Sequence, residues 1–194
     1  RAEFMRQGGG MSGLFGLWGG PTADQIAAQL NGSITITAVD LSMVPALMEQ
    51  VNSLAYELKG VDQAAVAKAR TYAQSFTSIF GSNVPPSYID LGNFVQILAR
   101  EAPRSAVSQS ASNVLKSLQQ AVVAEKHGPK KPGATGISIY FPNSQLYRNP
   151  ATGPQSYTVI ADRFSGQSLW DDFLAYHYTG RSFELEHRSV VIPE

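Results

Sequence analysis

Apolar positions recur every three or four residues through the middle of the chain. Leu41, Val44, Leu47, Met48, Val51, Leu54 and Leu58 fall on one stripe, a spacing that predicts a helix with one buried face. Asp40 stands before it, where a carboxylate can accept the free amides of the first turn, and Pro45 lies early enough to need no helical donor. Gly60 ends this helix and Asp62 caps the next, in which Val66, Ala69, Ala73, Phe76 and Phe80 repeat the spacing; a helical hairpin follows. Pro85-Pro86 breaks the pattern. The run from Tyr88 to Leu98 predicts a third helix with Leu91, Phe94, Val95 and Leu98 on its apolar face. Pro103 opens a fourth, whose stripe of Val107, Val114, Leu115, Leu118 and Val122 continues until Gly128.

Alternating patterns flank this helical middle. Ser33-Ile-Thr-Ile-Thr-Ala38 is rich in β-branched residues and alternates in polarity, as a half-buried strand does. Gly136-Ile-Ser-Ile-Tyr-Phe-Pro142 alternates into an apolar run that proline terminates, which predicts a second strand. Between them, His127-Gly-Pro-Lys-Lys-Pro-Gly133 is a loop by composition, with its three charges expected in solvent. Asn143–Pro154 is turn-rich, Tyr157–Ile160 is expected to be extended, and Gln167–Tyr178 predicts a last helix. Near the start, Pro21 and Thr22 open a short helix over about Asp24–Leu30, stopped by Asn31-Gly32. The expected fold class is α/β with a dominant helical layer and a few strands that complete a larger sheet. Three stretches follow: a glycine-rich leading segment with its short helix over 1–32, a main body over 33–178, and a tail over 179–194.

Composition narrows the function classes. With 194 residues and 43% hydrophobic content the chain can bury an ordinary core. Lysine plus arginine and aspartate plus glutamate are both 15, so no net field draws in nucleic acid or an anionic membrane surface. Seven of the first twenty residues are glycine, which breaks up the apolar core of about seven to fifteen residues that a signal peptide needs. No later run approaches the roughly twenty apolar residues of a spanning helix. The sequence begins at Arg1 without methionine, as a processed product or a fragment of a longer reading frame does. There is no cysteine, which removes disulfides, thiolate metal sites and a thiol nucleophile from this chain.

Four separated segments resemble, in order, the clostripain-like cysteine peptidases: Ala38-Val-Asp-Leu41 opening a striped helix, Tyr88-Ile-Asp-Leu-Gly-Asn-Phe94, Gly136-Ile-Ser-Ile-Tyr-Phe-Pro142, and Trp170-Asp-Asp-Phe-Leu174 with Tyr176 and Tyr178 behind it. Each alone is a common pattern, and the glycine-to-proline strand is the most specific. The likeness runs from about residue 33 to residue 178. It implies a caspase-like α/β fold and an endopeptidase cutting after arginine or lysine, often calcium-dependent, matured by internal cleavage, in a secreted or cell-envelope setting. In that family the histidine and cysteine lie upstream of the matched region, where the thiolate attacks the carbonyl and backbone amides hold the oxyanion. This chain has neither motif, so no residue in it is assigned a catalytic, cofactor or metal role. The partners implied are the upstream catalytic part, as a segment or separate chain, and a polypeptide substrate.

Other chemistry-bearing residues read more simply as structure. His127, His177 and His187 match no two-histidine or histidine–carboxylate motif and are read as surface or hydrogen-bonded structural histidines. Asp171 and Asp172 are adjacent on a helix, point apart, and suit the positive end of its dipole. Glu184 and Glu186 share one side of a short alternating stretch; a solvent face suits them better than calcium, which needs six or more oxygens. Gly8, Gly9, Gly10, Gly13 and Gly16 lack the strand before and the lysine–serine pair after that a phosphate loop has. Trp18 among them is either a buried anchor or a contact for a covering partner. No glycine-x-serine-x-glycine elbow is present. Two readings remain: the C-terminal scaffold of a clostripain-like endopeptidase, inactive without its histidine–cysteine part, or a non-catalytic helical interaction module derived from that fold.

Overall fold

The computed structural model describes residues 22, 24–25, 28, 32–76, 86–103 and 105–183. Over these residues the chain is mixed α/β, mostly helical, with two small antiparallel sheets of two strands each. Strand β1 (Thr35–Val39) is followed by a short 3-10 turn at Leu41–Met43, where Asp40 accepts from the Ser42 amide. Helix α1 (Val44–Glu57) carries proline in its first turn and buries Leu47, Val51, Leu54 and Ala55; of the stripe expected, Leu58 is buried just past its end and Val44 and Met48 are half-buried, while Leu41 sits exposed in the 3-10 turn because the helix begins only at Val44. Asp62 accepts from the Ala64 amide and so caps α2 (Gln63–Tyr72). Thr22 and Gln25 exchange side-chain bonds to each other's amides, a capping box that opens the short helix; most of Asp24–Leu30 lies outside the described residues.

Four expectations are corrected. Helix α2 stops at Tyr72 rather than running through Phe76, because Ala73 turns extended and Gln74–Phe76 runs beside the next strand, with Asp90 N donating to Gln74 O and Phe76 N to Tyr88 O. Phe80 lies outside the described residues. The segment read as starting a helix at Tyr88 is first a strand, β2 (Tyr88–Asp90), and turns helical only at Leu91, giving α3 (Leu91–Glu101). Helix α4 (Ser105–Ala121) ends before Val122, and Val122–His127 is a strand, β3, paired antiparallel with β1. Tyr157–Ile160 is not extended but helical, within α6 below.

The second sheet pairs β2 with β4 (Ser138–Tyr140), Ile89 opposite Ile139. The turn-rich stretch contains α5 (Ser144–Arg148), capped by Asn143. After it come α6 (Pro154–Ile160), begun by proline at its first turn, and α7 (Asp162–Gln167). Ser168 breaks the last predicted helix, so α8 is Trp170–Thr179, closed by Gly180 in the left-handed region.

The core lies where α4 packs against both α1 and α3, and α8 closes over the end of β4. Phe94, Phe141, Trp170 and Phe173 are fully buried, and Phe141 meets the other three edge-on at ring distances of 5.5, 5.6 and 5.7 Å. Such edge-to-face contacts add about 1 kcal/mol each beyond area burial. The Trp170 indole N–H donates to Tyr140 O at 2.6 Å, and the Asn52 amide on α1 bonds Leu169 N and Gln167 O. These bonds fix α8 against both the strand and the first helix.

Candidate functional site

Asp90 ends β2 with no solvent exposure. One carboxylate oxygen accepts from Asn93 N at 2.8 Å, capping α3, and from Thr135 Oγ1 at 2.6 Å; the other accepts from Thr135 N at 2.7 Å. A buried charge needs such a set of donors, since several kcal/mol would be lost if it stood alone. Asn93 Oδ1 in turn accepts from Gln74 N at 2.7 Å, and Gln74 Oε1 from Gly133 N. Gly92 makes this closeness feasible, for a Cβ there would sit 2.4 Å from Thr135 Oγ1. The network therefore pins the loop from His127 to Ile137 onto the start of α3.

Lys131, expected in solvent, is held by the same cluster: its Nζ donates to Ser75 O at 2.6 Å and lies 5.6 Å from the Phe76 ring, and burial lowers its pKa. The loop then brings Gly136, at φ +114°, against the inner side of β1, where a Cβ would sit 2.8 Å from Thr37 Cγ2. Beside this contact is a cavity of about 110 Å³ lined by Thr35, Thr37, Phe76, Ala134, Gly136 and Ser138. It separates β1 from β4, and no charged side chain lines it.

The residues singled out in the sequence are not brought together. His127, on β3, lies 3.0 Å from Glu125 on the same strand. His177, on α8, packs its ring on Phe141, Phe173 and Tyr178. Gln63 Nε2 donates to Leu58 O and Val61 O, which turns its Oε1 to His177 Nδ1 at 2.7 Å; the nitrogen facing it therefore carries the proton. Burial lowers the His177 pKa to about 4, so the ring is a neutral structural group at pH 7. Asp171 and Asp172 occupy the first turn of α8 as the dipole favours, and Asp171 accepts from Ser165 Oγ at 2.7 Å. His187, Glu184, Glu186, Trp18 and the early glycines lie outside the described residues.

Electrostatic shifts elsewhere also follow burial. Tyr178 is raised to about 12, and its hydroxyl donates to Pro142 O; Tyr140 and Tyr157 are raised further, and the Tyr140 hydroxyl donates to Thr152 O. Arg70, lowered by burial, donates from Nε to Phe141 O at 3.0 Å and from a terminal nitrogen to Pro86 O at 2.7 Å. These groups brace β4 and its flanks. Among the described residues no group of three or more histidine, aspartate or glutamate side chains is placed to hold a metal, and no helix is long and apolar enough to cross a membrane.

Sequence reasoning did not single out Thr135, Gln74 or Asn93. The local signal was the Asp90-Leu-Gly-Asn93 spacing, an N-cap with glycine in its first turn, but Thr135 stands 45 positions from its partner and carried none. What this arrangement supplies is rigid support for the loop from His127 to Ile137. No family model, curated protein or solved structure matches the chain.

Proposed function

We propose that the chain is the C-terminal, non-nucleophile part of a clostripain-like cysteine endopeptidase of caspase-like fold, cleaving after arginine or lysine, and that its role is to support an upstream histidine–cysteine part. What supports this reading is that three of the four segments bearing the resemblance pack in one core, and the helix that follows the first is tied to it. The helix that follows Ala38–Leu41 is tied through Asn52 to the start of α8; Phe94 after Asp90 meets Phe141 of the glycine-to-proline strand; and Trp170 bonds Tyr140 in that strand.

With no cysteine present, the thiolate of such an enzyme comes from elsewhere. The chain's part is mechanical: it holds β1 with Ile36 exposed and, among the described residues, only β3 beside it, as a strand of a larger sheet does. A second reading, a non-catalytic module, is favoured by the closed aromatic core on the helical side. Measuring the intact mass of the native gene product, under denaturing and native conditions and with an arginine-directed thiol-reactive label, separates the two. The proposal expects a longer polypeptide or a tight complex that takes up one label on a cysteine outside this chain. A stable product of this length without partner or label rejects it in favour of the second. Calcium dependence travels with the resemblance, and repeating the labelling with a chelator reads it.

A further inference from the structure

The chain turns back on itself where α8 ends. Gly180 stands at φ +71° with its N donating to Tyr176 O, a left-handed turn that glycine adopts without steric cost. Arg181 and Ser182 follow in solvent, and Phe183 returns to half-burial against the core. Its ring stands edge-on to Tyr56 of α1 at 6.3 Å, and 6.3 Å from Tyr176 of α8. Lys59 lies over the same rings: its Nζ is 3.4 Å from the centroid of Tyr56 and 4.9 Å from that of Phe183.

The receiving side of this contact is built without Phe183. Lys59 follows Tyr56 by three positions, across the end of α1 and the 3-10 turn Leu58–Gly60, a spacing that lays one side chain over the other. The Tyr176 hydroxyl donates to Lys59 O at 3.2 Å and so ties that turn to α8. Phe183 alone arrives from outside these elements, at the end of a short strap that starts at Gly180. An ammonium is attracted to the negative face of an aromatic ring, strongly enough at a protein surface to hold a strap of this length and weakly enough to release it. Among the described residues no carboxylate pairs with Lys59, so the two rings are the protein groups that hold its charge.

We propose that Gly180–Phe183 is a releasable strap closed by the charge of Lys59: Phe183 sits as a built-in aromatic ligand against Tyr56, Tyr176 and the ammonium, and loss of that charge opens the strap and bares the Tyr56–Tyr176 face. Gly180 is the hinge, and nothing lies within 4 Å of where a Cβ on it would stand, so the backbone has room to swing. Every contact invoked lies within this chain, so the inference stands apart from the peptidase reading and its failure leaves that reading untouched.

An arginine-specific protease reads the strap directly, because Arg181 lies within it and a bond is cut only when the segment around it can leave the surface. Lys59→Gln removes the charge and keeps a long side chain, Lys59→Arg keeps the charge, and Phe183→Leu removes the ring. The proposal expects the product ending at Arg181 to form about threefold faster or more in Lys59→Gln and in Phe183→Leu, near the parent rate in Lys59→Arg, and no faster in the double variant Lys59→Gln/Phe183→Leu than in the faster single one. Cutting after Arg100, inside α3, reports global unfolding and should not change. An equal increase in Lys59→Arg and Lys59→Gln means that charge does not close the strap, and overturns the proposal. So do parent rates in Lys59→Gln and Phe183→Leu, and so do additive effects in the double variant, which would mean that the two residues act apart. If Lys59→Gln also speeds cutting at Arg100, lysine methylation with a carbon-13 label, which keeps the charge, decides by NMR. The Lys59 methyl signal should then lie upfield of the other lysines and move toward them in Phe183→Leu; a signal that does not move overturns the proposal.

Discussion

The helical side of the molecule and the β1–β3 ribbon were built from similar residue types and ended in opposite conditions. Around Phe141, four aromatic rings and three helices exclude water, and several polar groups that enter are bonded: the Trp170 indole to Tyr140 O, Arg70 to two carbonyls, Asn52 to Leu169 and Gln167. On the ribbon, Ile36 is 68% exposed and Val123 71%, with Leu41 at 78% just beyond β1. The difference lies in neighbours. The ribbon has one partner strand and two edges, and a two-stranded sheet cannot bury both of its faces. The lesson is that, among the described residues, this chain holds one finished surface and one whose apolar residues stand in solvent.

The comparison is broken most severely at the finished surface. Trp170→Ala removes a fully buried ring from three aromatic contacts and should cost about 4 kcal/mol, measured by urea unfolding. Trp170→Phe keeps most of the area but leaves Tyr140 O without its donor, and should cost about 1.5 kcal/mol. Equal losses in the two variants would mean the indole bond, not the packing, holds α8. Next comes the Asp90 cluster. Asp90→Ala strips the acceptor from Asn93 N and from both donors of Thr135, with an expected loss of about 3 kcal/mol, and Asp90→Asn should lose about half as much. A loss under about 0.5 kcal/mol for Asp90→Ala would mean that water replaces the carboxylate and the loop is not pinned there.

These two places also differ in how far the sequence disclosed them. The stripes of α1, α3 and α4 were legible because a period of 3.6 is written locally, and the Asp40 and Asp62 caps follow from their own neighbours; the Asp90 cap was not read, because the helix was expected to run from Tyr88. Strand β3 was not, since Val122 continues the stripe of Val114, Leu115 and Leu118 in helical phase. Only pairing with β1, more than eighty residues away, turns it extended. At α6 the β-branched run Thr158-Val-Ile160 suggested a strand, yet Gly153-Pro154 starts a helix and Val159 and Ile160 stay exposed, so no buried face corrects a propensity argument.

A pH titration sharpens the contrast from within the finished side. His177 stands at about 4 when folded against an ordinary 6.5, because burial among Phe141, Phe173 and Tyr178 disfavours its charge. The unfolded chain therefore binds the proton first. Its contribution is whole above pH 6.5, is lost as pH falls from 6.5 toward 4, and levels below 4. The loss should reach about 2 kcal/mol, discounted for the ring's partial contact with solvent. His177→Gln should flatten that portion of the stability curve relative to the parent, and an unchanged slope would assign the pH dependence to carboxylates instead.

The smallest effect on stability is expected on the ribbon, and it is the one that decides whether the surface is meant to be covered. Ile36→Thr keeps a β-branched side chain on the outer face of β1, so the strand's backbone preference is preserved while its apolar surface is cut. Unfolding should change by less than about 0.5 kcal/mol, because Ile36 is already in water in this chain. Retention on a hydrophobic column, or the tendency to self-associate at high concentration, should fall measurably in the same variant. A destabilisation above about 1 kcal/mol would place Ile36 in a buried contact and erase the distinction between the two sides. If neither stability nor association changes, the ribbon's exposed residues are isolated surface positions, and the argument for a covering partner then rests on the strand edges alone.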